Sequence, residues 1–165
     1  PGTDIKYEDS VYEFVQLHFH TPSEHLIDGM TYPMEMHIVN KLKSTTSENA
    51  EKYLVIGVLF KMGSPNKFVE EFINLIPQNE HDKIKISENL VHLQDMFEKP
   101  LIPDNTHFFH YSGSLTTPPY TESVNWFVLK NILTASPKEI QTLNALEGNN
   151  ARHIQSLFGR NITLE

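Results

Sequence analysis

The chain has 165 residues, 39% of them hydrophobic and 10% aromatic, which suits one domain with a real core and excludes disorder as the whole answer. Against 13 Lys and Arg stand 21 Asp and Glu, a formal net charge of -8 that argues against binding nucleic acid or an anionic membrane through bulk electrostatics. With no Cys, thiol nucleophiles, disulfides and sulfur-ligated metals are excluded, so any chemistry rests on oxygen donors and the nine His residues.

Residues 1–10 are polar and read as a loose lead-in. From Val11 to His20 the pattern alternates, with Val11, Glu13, Val15, Leu17 and Phe19 facing one way and Tyr12, Phe14, Gln16, His18 and His20 the other, which predicts a strand. Thr21-Pro22-Ser23 ends it, and Ile27-Asp28-Gly29-Met30 reads as a hairpin turn. A second strand is expected from about Tyr32 to Leu42, then a polar connection from Lys43 to Lys52. Tyr53 to Met62 is a continuous apolar run, suited to a strand buried on both faces. Ser64-Pro65 predicts a helix carrying Phe68, Phe72, Ile73 and Ile76, with Ser64 as N-cap and Pro65 its first residue.

Further along, Asn89 to Phe97 reads as a short helical or irregular piece. Thr106 to Tyr111 and Glu122 to Lys130 read as strands around the Gly113-to-Pro119 loop, and Ser136-Pro137 opens a second helix through about Leu146. The remainder, Asn149 to Glu165, is a loop with a weak terminal strand. No stretch reaches the length of a membrane span, and there is no internal repeat or linker. The pattern is that of one α+β domain dominated by strands.

Two stretches carry chemistry. His18 and His20 stand two apart on a strand and so share a face, and a hairpin-like connection can bring His37 opposite them. Three neutral imidazoles with an open fourth position are the ligand set of a catalytic zinc. Gln16 and Glu35, on the same faces, are suited to take the second ring N–H of a ligand histidine and fix its tautomer. A His-x-His pair alone is equally an exposed cross-strand pair or a satisfied buried one, but five polar side chains on one face are too many for plain core. Tyr111-Ser112-Gly113-Ser114-Leu115-Thr116-Thr117-Pro118-Pro119-Tyr120 is a hydroxyl-rich turn locked by two prolines. It is either an ordinary connection or a rigid support that places a hydroxyl against a metal-bound oxygen.

Gln16-Leu17-His18-Phe19-His20-Thr21-Pro22-Ser23-Glu24-His25, Tyr32-Pro33-Met34-Glu35-Met36-His37 and Ser112-Gly113-Ser114-Leu115-Thr116-Thr117-Pro118-Pro119 resemble the alpha-class carbonic anhydrases. Val55-Ile56-Gly57-Val58, Asn125-Trp126-Phe127-Val128-Leu129-Lys130 and Asn150-Ala151-Arg152 agree as well, so the resemblance covers about residues 11 to 163 in the family's order. It implies a large, twisted, mixed but mainly antiparallel sheet with a few peripheral helices. The implied activity is zinc-dependent reversible hydration of carbon dioxide to bicarbonate and a proton by a zinc-bound hydroxide. His18, His20 and His37 would hold Zn2+, with Gln16, Glu35 and the Asn150 backbone carbonyl supporting them and His25 and Tyr111 supporting Glu35. Thr116 would accept the proton of the hydroxide and pass its own to Glu24, and its N–H would hold an oxygen of bicarbonate or of an inhibiting anion. Thr117 would line the polar side. Val39, Val55, Leu115 and Trp126, which by themselves read as core, would wall a carbon dioxide pocket. Anions and sulfonamide-type inhibitors would bind at the zinc.

The family's domain normally begins well upstream of residue 11, so residues 1–165 are expected to be a single domain lacking that N-terminal segment and its proton-shuttle histidine. No residue here matches the shuttle position, and Tyr120 stands where bacterial-type members commonly have a Cys. Two expectations follow: a hydratase limited by proton transfer, or a binding or scaffold domain that holds zinc with little turnover. More distantly, His18-x-His20 with Glu24 fits the His-x-His-x3-Glu core of cupin metal sites, although Tyr12 stands where a cupin has Gly. The sequon Asn161-Ile162-Thr163 weakly favours a secreted or lumenal location.

Overall fold

The computed structural model describes residues 4–43, 51–77, 79, 82–85, 90–96 and 107–165. Its centre is a curled mixed sheet. β1 (Ile5–Tyr7) and β2 (Ser10–His20) form an antiparallel hairpin, so the expected loose lead-in is instead an edge strand. The polarity of residues 1–10 hid it, because an edge strand needs only one apolar face; Tyr7 supplies this by packing edge-on to Phe127 at 4.8 Å. β3 (Leu26–Ile27) and β4 (Met30–Thr31) make a small separate hairpin. Asp28 and Gly29 turn it with φ of 54 and 74°, the left-handed pair that an Asp-Gly turn supplies.

β5 (Met34–Leu42) pairs antiparallel with both β2 and β6 (Tyr53–Met62). Met34, Met36 and Ile38 enter the main core beside Phe19, Val58 and Phe60 on one face, while Glu35, His37 and Val39 face the other. Burying side chains of this size contributes about 1.5–3 kcal/mol each. As expected for strands covered on both faces, Leu54, Val55, Val58, Leu59 and Phe60 of β6 are all buried. A β-bulge between Phe14 and Gln16 breaks the alternation of β2, which leaves Phe14 exposed rather than on the histidine face.

The first helix, α1 (Lys67–Phe72), starts later than its sequence suggests and continues as a 3-10 turn, Ile73–Leu75. Its N-cap is Asn66, not Ser64. The Asn66 N–H is taken by the Glu139 carboxylate, its amide by the Met96 carbonyl, and the Ser64 hydroxyl by Thr134, so tertiary partners set the start. Within the expected 89–97 piece, Leu93–Met96 is a 3-10 turn; Asn89, Phe97, Thr106 and most of the 43–52 connection lie outside the described residues.

β7 (Phe108–Gly113) and β8 (Val124–Leu129) flank the proline loop and pair antiparallel, while β8 lies parallel to the first half of β6. A short strand that the sequence did not suggest, β9 (Leu133–Ala135), pairs parallel with the end of β6. α2 (Pro137–Glu147) begins as expected, with Ser136 and Glu139 in a reciprocal capping box. β10 (Thr163–Leu164) closes the order β1-β2-β5-β6-β8-β7-β10. The helices cover the Met36 and Phe60 face and leave the histidine face to loops.

Candidate metal centre

His18 and His37 are directly paired across β2 and β5, and His20 lies one pair along, opposite Glu35. The three rings converge, with centroids 5.0 Å (His18–His20), 5.2 Å (His18–His37) and 4.5 Å (His20–His37) apart. One nitrogen from each lies within 4.8 Å of the others. Two strands held in register by backbone hydrogen bonds thus bring together three side chains that sequence spacing only suggested.

Glu35 sits under this group, fully buried. Its Oε1 accepts from His37 Nε2 at 2.8 Å and His25 Nδ1 at 2.6 Å; its Oε2 accepts the backbone N–H groups of Glu24 and His25 at 2.9 and 2.8 Å. The other His25 nitrogen meets the Tyr111 hydroxyl at 2.7 Å. With Nε2 engaged, His37 turns Nδ1 toward the histidine cluster. Gly57 faces His37 on β6, and a Cβ there would stand 3.0 Å from Glu35 Oε1, so a side chain at this position would press on the carboxylate.

Glu24 closes one side. Its Oε1 accepts the Arg152 N–H at 2.8 Å; its Oε2 is buried without a hydrogen-bond partner, 3.5 Å from His20 Nε2 and 3.9 Å from His37 Nδ1. The end of β2 is docked onto the segment after α2. The Asn150 side chain accepts from the Thr21 N–H at 3.0 Å and donates to the Phe19 carbonyl at 3.0 Å, and the Asn150 backbone faces the His20 ring. Val39, Val55 and Trp126 are buried in one cluster with Leu115 against it, and the Trp126 ring lies 4.7 Å from that of His37. Apolar wall and histidine cluster therefore adjoin.

Two expected contacts are not made. Gln16 is exposed, and no hydrogen bond joins it to His18 among the described residues. Thr116 is half-buried and Thr117 exposed, and no hydrogen bond links the Thr116 hydroxyl to Glu24. Sequence reasoning overlooked Arg152 and Gly57, whose roles depend on contacts between segments far apart in the chain.

The donor set fits a metal. Both ring nitrogens of His20 are buried without partners of normal hydrogen-bond geometry, an arrangement that is costly unless something occupies the centre. Burial, reinforced by the adjoining imidazoles, pushes His18 down to about 4 and also lowers His20, so both are neutral near pH 7, the ligating form. Burial raises Glu35, but His25 and His37 outweigh it and hold the carboxylate well below its usual range. Burial likewise lowers His25, and Glu35 overcomes it, leaving that imidazole raised. Three imidazole nitrogens are a zinc-type set. A separate group, Glu71, His92 and Asp95, has other partners, with Lys67 Nζ 2.9 Å from Asp95 and the His92 backbone N–H donating to Glu71 at 2.6 Å.

Residues 3–165 match the family model described as eukaryotic-type carbonic anhydrase. Alpha carbonic anhydrase 3 of Arabidopsis thaliana is 38% identical over 97% of this chain and 56% of its own length. Among solved structures, the Photobacterium profundum alpha-carbonic anhydrase superposes with a TM-score of 0.84 at 32% identity, covering 98% of this chain and 69% of that one. The Thermovibrio ammonificans alpha-carbonic anhydrase, solved with the inhibitor sulfanilamide, gives 0.81 at 31% identity over 94% and 64%. The chain spans about half the length of the curated relatives it matches.

Proposed function

This chain belongs to the eukaryotic-type (alpha) carbonic anhydrase family, and on that premise we propose that it catalyses reversible hydration of carbon dioxide, with zinc held by His18, His20 and His37. The family is zinc-dependent in general, and family membership sets the cupin alternative aside. One observation carries the reading: three imidazoles meet within 4.8 Å, and the buried nitrogens of His20 have no hydrogen-bond partner of normal geometry. Zinc there would supply a Lewis acid that makes a water nucleophilic near neutral pH.

The chain's own residues do the rest. Glu35 fixes the tautomer of His37 by accepting from Nε2, and His25 and Tyr111 hold Glu35 in place. Glu24 keeps one oxygen fixed by Arg152 and the other free to accept the Thr116 proton, which would leave the Thr116 lone pairs to orient the attacking water. Val39, Val55, Leu115 and Trp126 offer a weakly polar gas an apolar wall beside the imidazoles and exclude bulk water from it. Thr117, exposed, lies on the wet side. Sulfanilamide and simple anions are the expected inhibitors.

A binding or scaffold role with bound zinc is favoured by one observation, the open contact between Thr116 and Glu24 Oε2. The deciding experiment is stopped-flow hydration by the zinc-loaded chain, with and without imidazole as an external proton carrier, beside metal analysis. One zinc per chain with measurable turnover supports the hydratase. Bound zinc with no rate in either condition rejects it and leaves the binding role. A secretory or lumenal location is proposed only on the exposed Asn161 sequon, and intact mass after secretory expression tests it.

A further inference from the structure

We infer that Arg152 is a positioning residue for the proposed reaction, its guanidinium and the Tyr120 ring together clamping the loop that carries Thr116 and Thr117. The inference rests on the hydration reading and adds a part to it. Three segments distant in sequence meet at this residue, through its backbone and its side chain. The Arg152 backbone N–H donates to Glu24 Oε1 at 2.8 Å. On the near side of the loop, Nη1 stands 3.4 Å from Ser114 Oγ and 3.5 Å from the Leu115 carbonyl. On the far side, Cζ lies 4.1 Å above the centre of the Tyr120 ring. The two threonines fall between these grips.

Each contact alone is weak: the two hydrogen bonds are long, and the cation–π pair is partly exposed. A planar guanidinium makes them simultaneously, which a point charge does not. Tyr120 adds a second line of support. Its backbone has φ of 60°, a left-handed conformation that disfavours a residue with a Cβ, so local geometry by itself calls for Gly or Asn. A tyrosine persists there because its surroundings hold it, and its ring lies on Arg152.

Other contacts tie the loop to itself and to β8. The Ser114 carbonyl accepts the Trp126 indole N–H at 3.1 Å, Leu115 N–H reaches the Thr121 carbonyl at 3.0 Å, and Tyr120 N–H reaches the Thr117 carbonyl at 2.9 Å. None of these relates the loop to Glu24; Arg152 does. Nor does the guanidinium merely secure its own segment, which Asn150 already fastens to Phe19 and Thr21.

The test uses Arg152→Ala, Arg152→Lys, Tyr120→Leu and Tyr120→Phe, all of which keep the backbone N–H that reaches Glu24. Zinc content, amide exchange across residues 114–121 with and without zinc, and steady-state kinetics are measured. Arg152→Ala and Tyr120→Leu are each expected to speed loop exchange and to lower kcat about tenfold with KM little changed, because small displacements of positioned groups are costly in rate. Zinc stoichiometry should stay at the wild-type value. Tyr120→Phe, which keeps the ring, should recover at least half of what Tyr120→Leu loses; Arg152→Lys should fall between wild type and Ala; and the Ala/Leu double variant should be no worse than its worse parent. Unchanged loop exchange in both Arg152→Ala and Tyr120→Leu, or acceleration spread equally through β5 and β6, overturns the clamp. If the wild-type chain binds zinc without turnover, the hydration reading fails, and loop exchange still decides whether the clamp exists.

Discussion

The two halves of the candidate centre are built differently. The histidine half stands on β2 and β5, with Glu35 accepting four hydrogen bonds in full burial. The threonine half stands on a loop between β7 and β8, and its outer contacts are two long hydrogen bonds and a ring stacked on Arg152. Ligand placement is thus tied to the stability of the sheet, whereas the groups that would orient substrate can shift without unfolding anything. Damage to the first half should register in folding and in metal binding; damage to the second should register in rate.

The largest expected effect comes from Glu35→Ala. It strands two imidazole N–H groups and two backbone N–H groups in the interior, and breaking a buried network of this kind costs about 3–5 kcal/mol. Zinc affinity should fall about 10–100-fold, because the partner that orients His37 is gone. Denaturant midpoints and competitive zinc titration check both. Next comes Gly57→Ala, whose methyl would meet Glu35 Oε1 at 3.0 Å and Val128 Cγ2 at 3.4 Å; overpacking of this sort costs about 1–3 kcal/mol. A neutral result would mean that the strand half yields as readily as the loop.

The metal-free chain should also lose stability in acid. His18 titrates at about 4 when folded against 6.5 in the unfolded chain, so between those values the unfolded chain binds a proton that the folded one refuses, and stability falls as pH drops through that window. His20 acts in the same direction. Glu35, depressed, contributes stability above its ordinary range and loses it only as pH falls through its low folded value. His25, raised, contributes fully below 6.5 and fades as pH rises through its folded value. Urea midpoints that stay level between pH 6.5 and 4 would contradict this, and saturating zinc, which binds only the neutral imidazoles, should keep the slope and carry it to lower pH. Smallest in stability is Thr116→Ala, within about 0.5 kcal/mol. Its hydration rate should nevertheless fall about 100-fold, as when a group positioned for the transition state is removed. A large loss of stability there would erase the contrast between the halves.

The strand half was the legible half. His18 and His20 at period two, Glu35 and His37 on the next strand, and the apolar run of β6 each carry a local pattern that backbone geometry turns directly into a shared face. The same holds for Ser136-Pro137, which marks the start of α2. Features fixed by distant partners were illegible. The bulge before Gln16 depends on how β2 meets β5, and the Asn66 cap depends on Glu139 and Met96. β1 and β9 are three residues long, too short to show a period. Arg152 stands in a stretch that carries the family resemblance, yet no role for it was legible, since its meaning lies in Glu24, Ser114 and Tyr120, none of them near it in sequence.

The parallel pairing of β6 with β8 bears on the order of assembly. β2, β5 and β6 are successive antiparallel neighbours in the sheet, so the histidine corner closes through comparatively local contacts. β8 reaches β6 only after a long excursion through α1 and β7, and it brings Trp126 and the threonine loop with it. Non-local strand pairings form slowly because chain closure precedes any reward. During folding, the histidines would therefore be able to capture metal before the wall that keeps them dry has arrived.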